Sequence, residues 1–205
     1  MPNRPFRIIL GVAWALMAVV VGLAFVLGRP IWALDATVVG LLLWGVYLLR
    51  RMLNLTPLLF ALAAGIGIFH AAAVTGLYGM TFFGLEYDSY VHTYNSIAVG
   101  LLAYQYMKKF AVRKAEAALM AMLITLGIGL FNELVEFVGY RIGGRGEGWF
   151  LLGEGDIGRE SAFDNLMTDF LHDFLGMAAG VAGAVLWQAR TEHKKGTSPN
   201  SGKRG

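Results

Sequence analysis

Apolar residues fill this chain in long unbroken runs, with polar residues confined to brief interruptions. Six runs each approach the about 20 residues that a helix needs to cross a bilayer. They cover roughly 8–27, 31–49, 58–77, 89–106, 117–140 and 162–187. Gly28, Arg29 and Pro30 separate the first two, which read as a tight hairpin with Asp35 near the start of its second arm. In lipid every backbone polar group must be satisfied internally, so apolar runs of this length predict helices. The expected fold is all-α: a polytopic membrane bundle of about six transmembrane helices. The first run is longer than the about 7–15 residues of a signal-peptide core, and no cleavage site follows, so it reads as a retained helix.

Composition supports this reading. The chain is 57% hydrophobic and 15% charged, whereas soluble domains are about 45–50% apolar and about 25% charged. Its 205 residues contain no cysteine, which excludes disulfides, thiolate metal sites and cysteine nucleophiles.

Charge placement then orients the bundle. With the N-terminus inside, thirteen of the 17 Lys and Arg residues fall in cytoplasmic connections or tails, and only Arg29, Arg141, Arg145 and Arg159 fall outside. That asymmetry predicts a multi-pass membrane protein with both termini in the cytoplasm. It also removes the nucleic-acid reading that a pI of 9.2 would invite, because the basic residues mark topology rather than a recognition face. Residues 1–188 are expected to form the membrane domain, and 189–205 a basic, disordered cytoplasmic tail. Seven glycines between Arg141 and Ser161 predict a flexible outer loop, with Trp149 to Leu152 resting on the membrane interface.

Of the 14 acidic residues, only Glu116 and Glu192 fall near the cytoplasmic side. The rest lie in outer loops or outer halves of helices, where each buried charge needs a partner or a task. Asp88 and His92 are spaced i, i+4 on the fourth helix, and Glu133 and Glu136 are spaced i, i+3 on the fifth beside Asn132. On the sixth, Asp164 stands at the mouth, and Asn165, Asp169, His172 and Asp173 share a face further in. Three helices thus bring carboxylates and histidines to one depth.

Protons or cations must neutralise such a group, and oxygen ligands with imidazole suit Zn, Mn, Fe, Mg or Ca. The expected ligands are His92, Glu133, Glu136, Asp169 and His172, with Asp173 as general base or supporting residue. The competing reading is a structural network with Arg141 or Arg159. Asp88, Asp164 and Glu86 also fit solvated helix ends. His70 has no acidic neighbour in sequence and reads as a hydrogen-bonded core histidine. Gly176, Gly180 and Gly183 let another helix approach closely, as in general membrane-helix packing.

From Tyr87 to Gly180 the chain resembles the YjdF-like bacterial inner-membrane proteins and, more distantly, the VanZ-like family. The resemblance rests on Tyr87-Asp88-Ser89-Tyr90-Val91-His92, on Asn132-Glu133-Leu134-Val135-Glu136-Phe137, on Gly155-Asp156, and on Phe163-Asp164 through Asp169 to Gly176. The VanZ-like pattern has asparagine where Asp173 stands. The resemblance implies that these acidic and histidine positions belong together, and names no substrate.

The leading functional expectation is a divalent-metal site open to the extracytoplasmic face, hydrolysing a lipid or envelope substrate with metal-activated water. The alternatives are a proton- or cation-coupled transporter and a structural or envelope-stress membrane protein.

Overall fold

The computed structural model describes residues 3–78, 80–143 and 162–196. Six helices carry the fold: α1 (Arg4–Val26), α2 (Pro30–Leu49), α3 (Pro57–Ala72), α4 (Tyr87–Met107), α5 (Lys114–Gly143) and α6 (Ala162–Gly196). Proline opens each of the first three within their first turn, where its missing N–H costs nothing. Thr56 caps α3, its hydroxyl accepting from the Leu59 N–H at 3.2 Å. Gly28, at φ 67°, makes the turn between α1 and α2. The all-α membrane bundle expected from the apolar runs is therefore present.

Among the described residues, five helices are long and apolar enough to cross a membrane by length and composition. The exception is α4, whose sequence holds the Asp88–His92 segment and several tyrosines. It is also the most enclosed, packing against α3, α5 and α6, so its polar side chains face protein rather than lipid. Helices α1 and α2 pack on each other and on α3, forming one flank, while α5 and α6 form the other.

Two departures from the expected elements stand out. α3 ends in a π-helical turn, Ala73–Leu77, with Gly76 at φ 114°. A two-residue-per-strand hairpin follows, β1 (Thr81–Phe82) with β2 (Leu85–Glu86), turning at Phe83 and Gly84, which both have positive φ. The second departure is at the C-terminus. α6 runs to Gly196, so the expected disordered tail from 189 is helical through 196, and 197–205 lie outside the described residues. The glycine-rich loop from Gly144 to Ser161, with Arg145, Arg159 and Trp149 to Leu152, lies outside them too.

The connections sort to two ends. Arg50 donates to Asn3 Oδ1 at 3.1 Å, Lys109 donates to the Met52 carbonyl at 2.8 Å, and Lys114 pairs with Glu192. The basic connections and the end of α6 therefore share one end of the bundle. Asp88, Glu133 and Asp169 lie at the other.

Candidate metal centre

Each helix supplies its part of the site through simple periodicity. On α4, Asp88, His92 and Ser96 recur every four residues and form a stripe facing α6. On α6, Asp169 and Asp173 recur likewise, and Gly176 and Gly180 continue the same stripe. The glycines bring the backbones into contact: a Cβ at Gly180 would lie 2.5 Å from the Ile97 carbonyl oxygen, and one at Gly176 would meet the Thr93 carbonyl oxygen. Lipid tails are as apolar as leucine, so such close van der Waals contact and polar links across it hold membrane helices together. On α5, Gly129 leaves space for Asp173 Oδ2, into which a Cβ there would run.

His92 is the hub. Its Nδ1 donates to Asp173 Oδ1 at 3.2 Å, and the Ser96 hydroxyl donates to the same oxygen at 2.7 Å. Its Nε2 faces three carboxylates without bonding any closely: Asp88 Oδ2 at 3.6 Å, Glu133 Oε1 at 3.8 Å and Asp169 Oδ1 at 3.9 Å. Asn165 Nδ2 donates to Asp169 Oδ2 at 2.9 Å and holds that side chain in place. All five residues of this group are buried, Asp169 at 2% exposure and Asp173 at 3%. Glu133 Oε1 and Asp173 Oδ2 are buried with no hydrogen-bond partner. The side chains of Arg141 and Arg159, the partners expected for a structural network, lie outside those described, and among the described side chains no lysine or arginine pairs with these carboxylates.

Four carboxylates around one imidazole therefore share a buried space. Two subsets, Asp88–His92–Asp169 and His92–Glu133–Asp173, each present ligand atoms within 4.8 Å of one another. Two ligands on a tetrahedral ion with arms of about 2.1 Å stand roughly 3.4 Å apart. The 3.6–3.9 Å gaps at Nε2 are close to that spacing.

The structure brings four of the expected site residues together: His92, Glu133, Asp169 and Asp173. Glu136 stands at the edge, its Oε1 accepting from Asn132 Nδ2 at 2.7 Å, and lines the adjoining cavity. His172 turns away, its Nδ1 lying 3.3 Å from Thr93 Oγ1. Asp88 takes the place in the group that His172 was expected to fill. Its i, i+4 spacing to His92 was the signal for that, outweighed by its position at a helix start.

A second buried group links helices far apart in sequence. His70 Nε2 donates to Asp35 Oδ2 at 2.9 Å, and the Tyr78 hydroxyl donates to His70 Nδ1 at 3.0 Å. His70 is thus a hydrogen-bonded core histidine, as expected. Its acidic partner on α2 was not foreseen, because 35 residues separate the two.

No curated protein and no solved structure matches the chain. A family described as a predicted membrane protein, DUF2238, matches residues 8–191, a span from early α1 to the last turns of α6 that includes every residue of the candidate centre. The chain belongs to this DUF2238 family, which is the family of the YjdF-like proteins.

Proposed function

We propose that the protein is a membrane-embedded, divalent-metal-dependent hydrolase acting on a lipid or envelope substrate. In this reading His92 Nε2, Asp88, Glu133 and Asp169 hold the ion. Asp173, hydrogen-bonded to His92 Nδ1, fixes the ring and its tautomer, as carboxylate partners of metal-bound histidines do. Of the two expected roles for Asp173, general base or supporting residue, this reading takes the supporting one. Glu136, on the cavity wall beside the centre, is the better-placed base. The metal would supply a water activated for attack. Mg, Ca and Mn suit the oxygen-rich donor set, and Zn or Fe remain compatible with its single imidazole.

The observation that carries this reading is Glu133 Oε1, a buried carboxylate oxygen without a donor, facing His92 Nε2 beside Asp88 and Asp169. An unsatisfied buried carboxylate is costly, and a cation held at this oxygen removes that cost. The shared basic end of the bundle supports N-in, C-in insertion in a bacterial inner membrane, with the centre near the outer face.

Elemental analysis of detergent-purified protein, beside Glu133→Gln and Asp169→Asn variants, tests the proposal. Stoichiometric metal in the wild type and its loss from both variants are expected. Wild-type protein that stays metal-free after metal addition would overturn it. A second reading, proton- or cation-coupled transport, draws support from His70, which lines the same cavity and is tied to Asp35. Substrate-dependent flux in proteoliposomes would favour it over hydrolysis.

A further inference from the structure

We propose that the cavity beside the metal centre holds the hydrocarbon tail of a membrane lipid, with the lipid's polar head against His92 and Glu136. This inference names the substrate class for the hydrolase reading above and rests on that reading for the chemistry at the head.

The cavity measures about 460 Å³, within the roughly 300–1,000 Å³ of ligand sites. It follows one face of α4 from His92 to Tyr106, roughly 21 Å at about 1.5 Å per residue. Its polar lining gathers at one end, where His92, Asn95, Ser96, Asn132 and Glu136 stand beside the carboxylates. His70 and Tyr78 also line it, and the walls beyond are mostly apolar, with Val99 and Leu102 on α4 and Val46 on α2. Thr125 is no exception, since its hydroxyl donates back to the Ala121 carbonyl. Leu53 and Leu55 line the far end, and Leu55 is buried.

Entry is from the side. Leu42 on α2 and Ile128 on α5 line the cavity and are 48% and 50% exposed. These two helices belong to opposite flanks, so the slot opens between them, toward the bilayer. A water-soluble ligand would have to pass an apolar mouth that a lipid already faces. A polar head group, a narrow apolar slot and a lateral mouth together describe one chain of an amphiphile.

Full-length protein in nanodiscs doped with a phospholipid bearing a diazirine near the end of one acyl chain provides the test. After irradiation, peptide mapping is expected to place crosslinks at Leu53 and Tyr106 in excess over the exposed residues Leu16 and Leu119. Val99→Trp, which blocks the slot halfway, should lower labelling at Leu53 and Tyr106 at least tenfold while metal content stays unchanged. Leu102→Trp serves the same purpose should the first variant not fold. Labelling at Leu53 and Tyr106 no greater than at Leu16 and Leu119, or insensitive to the blocking tryptophan, would overturn the inference. Slot labelling in metal-free protein would sink the hydrolase reading and leave the lipid site standing. A metal-loaded protein labelled only on its outer surface would do the reverse.

Discussion

Gly180→Ala tests whether the approach of α4 to α6 builds the centre. The added Cβ would stand 2.5 Å from the Ile97 carbonyl oxygen and 3.0 Å from Ile97 Cα, both backbone atoms that no side-chain rotation can move. A carbon and a carbonyl oxygen rest at about 3.3 Å or more. The helices must therefore part by roughly 0.8 Å, and overpacking of this kind costs about 1–3 kcal/mol. Alanine is also a better helix former than glycine by about 1 kcal/mol, which would mask part of that loss. Gly183→Ala cancels this term, because a Cβ there meets nothing within 4 Å. A protein of this size loses about 2–4 °C of melting temperature per kcal/mol. The position-180 variant should therefore melt roughly 2–12 °C below the position-183 variant in the same detergent. Metal retention should fall with it, since ligand distances hold only within about 0.2 Å. Equal melting temperatures for the two variants would refute the close approach and the account of how Asp169 and Asp173 reach His92.

Three further outcomes are expected. Ser96→Ala removes the hydroxyl that donates to Asp173 at 2.7 Å and should weaken metal affinity about 10–100-fold, as loss of a supporting group does; competition with a chelating dye reads this, and unchanged affinity would remove Asp173 from its orienting role. Asp35→Ala and His70→Ala each leave a buried polar partner behind, so each should cost about 3 kcal/mol in chemical denaturation. The double variant should cost clearly less than the sum, and strict additivity would show that the pair is not coupled. Metal at about 100 times its Kd should stabilise the wild type by about 2.7 kcal/mol. A chelator should reverse that, and Glu133→Gln should show no response to either; a metal-dependent shift in this variant would count against Glu133 as a ligand.

Helix number and type were legible in the sequence because they depend on local properties. A run of about 20 apolar residues must become a helix in lipid, and the side chains that share a face follow from 3.6-residue periodicity. Those two facts alone place His92, Glu133, Glu136, Asp169, His172 and Asp173 at a similar depth. What each side chain turns toward depends on the rotation of one helix against its neighbour, and that is set by contacts between residues far apart in the chain. Gly176 and Gly180 fix that rotation for α4 and α6, which draws Asp88 into the cluster and leaves His172 against Thr93. Asp35 and His70 met only through the packing of α2 on α3. The lipid-sized cavity has no signature in sequence at all, being the gap left where two flanks of the bundle close around α4. The sequence alone determined a membrane bundle with a polar end; tertiary structure decided which of its polar groups meet, because helix rotation and spacing are collective properties of packed surfaces.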